Sequence, residues 1–177
     1  MKPALAIAVS LLLGASVFAQ TSPAQSKDPV SSALRDILPG REKNTLAAVE
    51  AMPADKFSYK PTPDQHTFGQ LVTHMVEGNY YLCSKAAGVA TPKNEEIKDT
   101  EPKDKLVAGL RASFDFCSTT LAKMDDSKLA EMTEGSGGKQ FSHAWFSVVL
   151  ASSWTDHYAQ AAMYLRLNGI VPPSAKK

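Results

Sequence analysis

The stretch from Gln140 to Pro173, QFSHAWFSVVLASSWTDHYAQAAMYLRLNGIVPP, constrains the fold of this chain more than any other. It carries both a start and a stop for one long helix. Ser142 follows the flexible Gly137–Gly138 pair and can cap the N-terminus by accepting a backbone N–H. Asn168-Gly169 supplies a left-handed C-terminal cap. Pro172-Pro173 then forbids continuation, because proline has no N–H and crowds the preceding turn. Steps of three and four residues place Phe146, Leu150, Trp154, His157, Ala161 and Leu165 on one face. A histidine therefore sits inside an apolar stripe.

Three further segments carry helical periodicity. The first starts at Asp28-Pro29, an acidic cap followed by proline at the first helical position. It carries Val30, Leu34, Ile37, Leu38, Leu46, Val49 and Met52, and Pro39-Gly40 predicts a kink or a full break. The second opens with Thr67 and Gln70, the spacing of a capping box, and ends at Gly88. Its apolar face is Phe68, Leu71, Val72, Met75, Leu82 and Ala86, with a polar stripe of Gln70, His74, Glu77 and Tyr81 beside it. The third starts at Thr100 to Pro102 and carries Val107, Leu110, Phe114, Cys117, Leu121 and Met124.

Three connectors join these segments. In Ala54 to Gln65, Phe57 and Tyr59 are expected to pin the chain to the bundle. Val89 to Glu101 is polar and long enough to cross an end of the domain. Asp125 to Gln140 has Leu129 and Met132 as docking residues and a flexible Gly135–Lys139 tip. No β-alternation of useful length is present. Four amphipathic helices of about twenty residues suffice for one core, so the reading is all-α and a single domain.

Residues 1–19 read as an export signal: Lys2 gives a short positive start, Ala4 to Val17 is apolar, and Val17-Phe18-Ala19 suits cleavage before Gln20. Residues 20–27 are a polar leader, and 28–174 the folded domain. The expected location is periplasmic or secreted. The net charge of +1 falls to zero when Lys2 is removed, and there is no Lys/Arg run, which argues against nucleic acid as a partner. After signal cleavage no second apolar run is long enough for a membrane. There is no phosphate loop, dinucleotide fingerprint or nucleophile elbow.

The segments MPADKFSYKPTPDQHTFGQLVTHMVEGNYYLCS and HYAQAAMYLRLNGIVPPS together resemble the DinB/YfiT-like superfamily, in particular its exported bacterial members. The resemblance spans Asp28 to Ser174. It implies a four-helix bundle of up-down-down-up topology, with the second and third helices parallel and joined by a long crossover. Many members of the family hold a divalent metal (zinc, nickel or iron) with one histidine from the second helix and two from the fourth, four residues apart. Residues at that spacing share a helix face, so both imidazoles can reach one ion. Carried onto this sequence, His74 matches the first ligand and His157 the last, while the position four before His157 is Ser153. A serine hydroxyl is a poor substitute for imidazole on these metals.

Two functional readings follow from the resemblance. In one, the chain is a degenerate two-histidine bundle, non-catalytic or weakly metal-binding, that takes a small molecule, a thiol ligand or a partner protein. In the other, it is a metal-dependent transferase or hydrolase, with Glu77 assisting. Ser153, Glu77, Gln70 and Tyr164 are the candidate supporting residues around the pair. His66 and His143 receive no role. The parallel helices implied by the resemblance would set Cys83 and Cys117 level, and an oxidising compartment would allow a disulfide; two buried free thiols are the other reading. A homodimer is neither supported nor excluded.

Overall fold

The computed structural model describes residues 26–93 and 96–175; the expected signal peptide and most of the leader lie outside them. Helix α1 spans Pro29–Ala51, α2 Phe68–Ala87, α3 Lys103–Leu121 and α4 His143–Leu167. Two short strands, β1 (Met132–Glu134) and β2 (Gln140–Ser142), precede α4. Among the described residues no helix is long and apolar enough to cross a membrane.

Contacts between named side chains give the topology. Helix α2 packs on α3 and α4, and α1 packs on the same two, so α1 and α2 lie on a diagonal. Asn79 of α2 bonds Ser113 of α3, and Cys83 is joined to Cys117, so these two helices advance together. Against α4 the order reverses: His74 meets His157, Asn79 meets Trp154 and Tyr81 meets Phe146. Arg35 of α1 reaches the Leu121 carbonyl of α3, while Glu50 pairs with Arg111, which makes α1 and α3 antiparallel. The result is an all-α, up-down-down-up four-helix bundle. Parallel α2 and α3 need a connector that returns along the bundle. Residues 88–102 extend to about 50 Å at most, against about 30 Å for a helix of twenty residues.

The helix ends follow local chemistry where local chemistry is strong. The Gln70 amide donates to Thr67 Oγ1 (3.0 Å) and the Thr67 amide donates to Gln70 Oε1 (2.9 Å), closing the capping box. Ser142 Oγ accepts from the Trp145 amide and starts α4. At the other end Gly169, with φ +72°, lets the Ile170 amide donate to the Leu165 carbonyl and its own amide to Arg166, a Schellman ending.

Other elements depart from the sequence reading. Asp28 does not cap α1 with its side chain. The cap comes from Asp126, whose carboxylate accepts from the Val30 amide (2.8 Å), the Ser31 amide (2.9 Å) and the Ser31 hydroxyl. Asp28 Oδ1 in turn accepts from the Asp126 amide (3.0 Å). Pro39 neither ends nor splits α1. An interior proline costs about 3 kcal/mol. Leu34, Leu38, Leu46 and Val49 on either side are all buried in one core, at about 1.5–3 kcal/mol each, which outweighs it. Ile37 is 38% exposed, because its neighbour Leu38 takes the inward position and adjacent helical residues diverge by about 100°. On α3, Leu106 rather than Val107 is fully buried.

The connector before α4 is not plain loop. Strands β1 and β2 pair antiparallel, with Thr133 opposite Phe141, and Gly137 and Gly138 turn the chain at positive φ. Phe141 stacks on Trp145 at 4.1 Å and so docks the hairpin on α4, whereas Met132 is 60% exposed. Phe57 packs edge-on against Phe68 (5.2 Å), and Tyr59 against Tyr164 (6.2 Å), which holds the first connector to the bundle.

The core runs from Leu34 to Leu165 through all four helices. Within it, Cys83 and Cys117 form a disulfide between α2 and α3, with Cα atoms 5.4 Å apart and no solvent exposure at either residue. Each cysteine stands one turn short of the end of its helix.

Two predictions follow. Closing a loop of 34 residues should contribute about 3–4 kcal/mol. The C83A/C117A double variant should therefore lose about that much in urea denaturation; an unchanged midpoint would show that the bond does not restrain the unfolded chain. Replacing Asp126 by Ala should cost about 1–2 kcal/mol, as for a lost N-cap. Burial acts to raise the Asp126 pKa, but the Ser31 hydroxyl, the Val30 and Ser31 amides and the Arg35 charge outweigh it, and the carboxyl sits below its usual range. Its contribution is thus complete above the ordinary carboxylate pKa and fades as pH falls through the lowered one. The penalty of D126A should shrink accordingly in acid, and a penalty independent of pH would contradict this assignment.

Candidate functional site

His157 lies on the buried face of α4 between Trp154 and Ala161 and is 8% exposed. His74 lies on the polar stripe of α2, where its side chain is exposed. Because α2 and α4 run antiparallel in contact, the two imidazoles meet. Their centroids are 5.0 Å apart and their planes 80° from one another. The Trp154 indole N–H donates to Asn79 Oδ1 (2.9 Å), one turn from each histidine, and fixes this register.

Ser153 is the third member of the group. Its Oγ lies 3.3 Å from Nδ1 of His157. When Nδ1–H donates to the hydroxyl, the Nε2 lone pair is left free, and this is the tautomer a metal ligand or proton acceptor needs. Burial lowers the pKa of His157; the nearby charge of His74 lowers it further, and Asp156 opposes both. His157 is thereby held in its neutral, donor-competent form across a wider pH range than a free histidine.

The pair can be tested against a shared ion. A metal–nitrogen bond of about 2.0–2.1 Å puts the ring centroid about 3.2 Å from the ion, so two ligands at a tetrahedral angle have centroids about 5 Å apart. The observed 5.0 Å matches that spacing and is equally the spacing of an ordinary edge-on ring contact. A third donor is not in place: among the described residues, no three His, Cys, Asp or Glu side chains are gathered as a metal-binding set. Ser153, four residues before His157, supplies a hydroxyl to Nδ1 of His157.

The other supporting residues go elsewhere. Gln70 spends its side chain on the capping box of α2. The Tyr164 hydroxyl donates to the His66 carbonyl (2.6 Å) and not to an imidazole. Glu77 is exposed and lines a separate groove of about 380 Å³, formed with Thr73, Val76, Tyr80, Ile97 and Ala112 between α2, the crossover and α3. Of the four candidate supporting residues, Ser153 alone hydrogen-bonds to an imidazole of the pair.

The two histidines left without a role in the sequence reading lie at opposite ends of the fold's α2–α4 seam. The His66 ring lies 6.3 Å from that of His74, with the planes within 15° of parallel. Three of the four histidines in the chain thus gather at one end of the α2–α4 seam. The fourth, His143, is buried and donates Nδ1–H to the Lys85 carbonyl in the last turn of α2. It closes the opposite end of the same seam. No local pattern marks either residue: His66 sits in an aperiodic connector, and His143 finds its partner 58 positions away.

Comparison with known proteins agrees with this architecture. No curated protein matches the chain. Solved structures share the fold, among them two DinB-like proteins. A DinB-like protein from Bacillus subtilis superposes with a TM-score of 0.63 at 16% identity, covering 77% of this chain and 92% of that one. A DinB-like protein from Bacillus cereus gives a TM-score of 0.66 at 16% identity, covering 80% and 95%. At that identity the likeness speaks for the fold alone. The sequence profile of the DinB superfamily matches residues 40–161, more than half the chain, and the protein belongs to that superfamily.

Proposed function

We propose that this protein is an exported DinB-superfamily bundle whose three-histidine centre has been reduced to two imidazoles. It serves as a non-catalytic, weakly metal-binding domain that takes a small ligand or a partner protein at the His74–His157 face. One observation carries the reading: Ser153 occupies the position four before His157 and hydrogen-bonds its Nδ1. The hydroxyl orients a ligand without supplying one. Two imidazoles at 5.0 Å retain the spacing of a metal pair but provide fewer donors than a resident catalytic ion takes. Export is supported by the pattern of residues 1–19 and by a buried disulfide, which suits an oxidising compartment.

The rival reading, a metal-dependent transferase or hydrolase, requires tight metal in the unmodified protein. The two separate on a calorimetric titration with zinc and nickel, alongside metal analysis of protein purified without chelator. The wild type should carry well under one equivalent of metal and bind it weakly. S153H should tighten binding by at least tenfold, about 1.4 kcal/mol. Stoichiometric, tightly held metal in the wild type would favour the enzyme. No gain in S153H would mean that residue 153 does not face the ion position at all.

A further inference from the structure

The crossover between α2 and α3 also builds a wall. Two of its contacts are made through buried glycines. A Cβ on Gly69 of α2 would lie 2.5 Å from the Asp99 carbonyl oxygen, and one on Gly109 of α3 would fall on Cδ1 of Ile97. The absence of these side chains lets the Ile97–Asp99 part of the crossover seat directly on both helices. This fixes one side of the 380 Å³ groove along the α2–α3 face, whose volume is within the range of about 300–1,000 Å³ found for small-molecule sites. Val76, Tyr80, Ile97 and Ala112 give it apolar surface, and the Tyr80 ring is packed on Phe116 at 5.3 Å. Glu77 of α2 and Glu96 of the crossover are exposed at the same groove, and among the described residues no lysine, arginine or histidine lines it. Neither carboxylate has an ion-pair or hydrogen-bond partner among the described residues. Burial and the charge of Asp115 raise the pKa of the Tyr80 hydroxyl, which keeps that ring a neutral phenol. In a chain of net charge +1 this is a local excess of negative charge around an apolar cleft.

We infer that this groove binds a small organic cation: an apolar body bearing one protonated amine, with the ammonium at Glu77 and Glu96 and the body against Val76, Tyr80 and Ile97. The carboxylates supply charge-assisted hydrogen bonds to an ammonium. The face of Tyr80 adds an attraction for the same charge. An anion meets two like charges and no compensating base. A metal ion is also a poor occupant, because no three His, Cys, Asp or Glu side chains are gathered among the described residues and the apolar surface gives an ion nothing to bind. An apolar body with one positive end uses both halves of the lining. The groove lies on the α3 side of α2 and shares no residue with the His74–His157 pair, so this inference is independent of the function proposed above.

The probes are 3-phenylpropylamine, its neutral counterpart 3-phenylpropan-1-ol and the anion 3-phenylpropanoate. Each is titrated into the full protein at neutral pH and followed by backbone amide shifts. The amine should shift Glu77, Tyr80, Glu96 and Ile97 and bind about tenfold tighter than the alcohol, as expected for a hydrogen bond to a charged group. The anion should bind more weakly than either, and added salt should weaken the amine alone. E77Q/E96Q should bring the amine to the level of the alcohol with an unchanged unfolding midpoint, since both side chains are exposed. A112W, at an exposed position on the groove, should block amine and alcohol alike. Equal affinity for amine and alcohol, or full amine affinity in E77Q/E96Q, would overturn the inference. So would amine shifts that fall outside the groove, or none at about 10 mM amine, a concentration that saturates sites far weaker than micromolar.

Discussion

The parallel alignment of α2 and α3 is the constraint on which the rest of the molecule depends. Consecutive helices pack most simply as antiparallel hairpins, and this pair does not. The Cys83–Cys117 disulfide and the Asn79–Ser113 hydrogen bond, both buried, tie the two helices level with one another. Once they are level, the chain must return along the bundle between them, which explains the long crossover. Helix α2 must also stand diagonally from α1, which explains why the Ala54–Gln65 connector runs across an end and needs Phe57 and Tyr59 to hold it. The same arrangement puts α4 beside α2 and antiparallel to it, so a histidine near the start of α2 meets one in the second half of α4.

Asn79 gives this frame its register. It donates to Ser113 on one side and accepts from the Trp154 indole on the other, so a single buried side chain locks α2 against both neighbours. A buried amide with both partners satisfied specifies position in a way an apolar contact cannot, since any slip leaves a polar group unpaired. His143 adds a second fixed point at the far end of the α2–α4 seam through the Lys85 carbonyl. The imidazole pair lies at the near end of that seam, where its geometry is set by the scaffold more than by the histidines themselves.

What could be read in the amino-acid sequence divides along the range of the interactions. The capping box at Thr67, the Ser142 cap, the Gly169 ending and the buried stripes of α2 and α4 depend on residues within one or two turns, and all were legible. The cap of α1 was not, because Asp126 supplies it from 96 positions away and the adjacent Asp28 offered a plausible local substitute. The hairpin before α4 leaves no mark in the sequence, because three-residue strands are too short to show alternation. At Pro39 the local signal allows a kink or a break; the helix runs through unbroken, because the buried residues on either side outweigh the cost of the proline. Of the site, His74, Ser153 and His157 came from the family resemblance. The nearness of the exposed His66 ring to His74 came only from the fold, since the connector that carries it has no periodicity.

The central claim is that the rings of His74 and His157 face each other across the α2–α4 seam in the folded protein without any added ion. The most direct measurement is a nuclear Overhauser experiment on selectively labelled histidine rings in metal-free protein. At a centroid separation of 5.0 Å, cross-peaks between ring protons of His74 and His157 should be present, and His143 should show none to either. Absence of the His74–His157 cross-peaks in protein whose Trp154 indole proton is protected from exchange would contradict the account, because the seam would then be intact with the imidazoles turned apart.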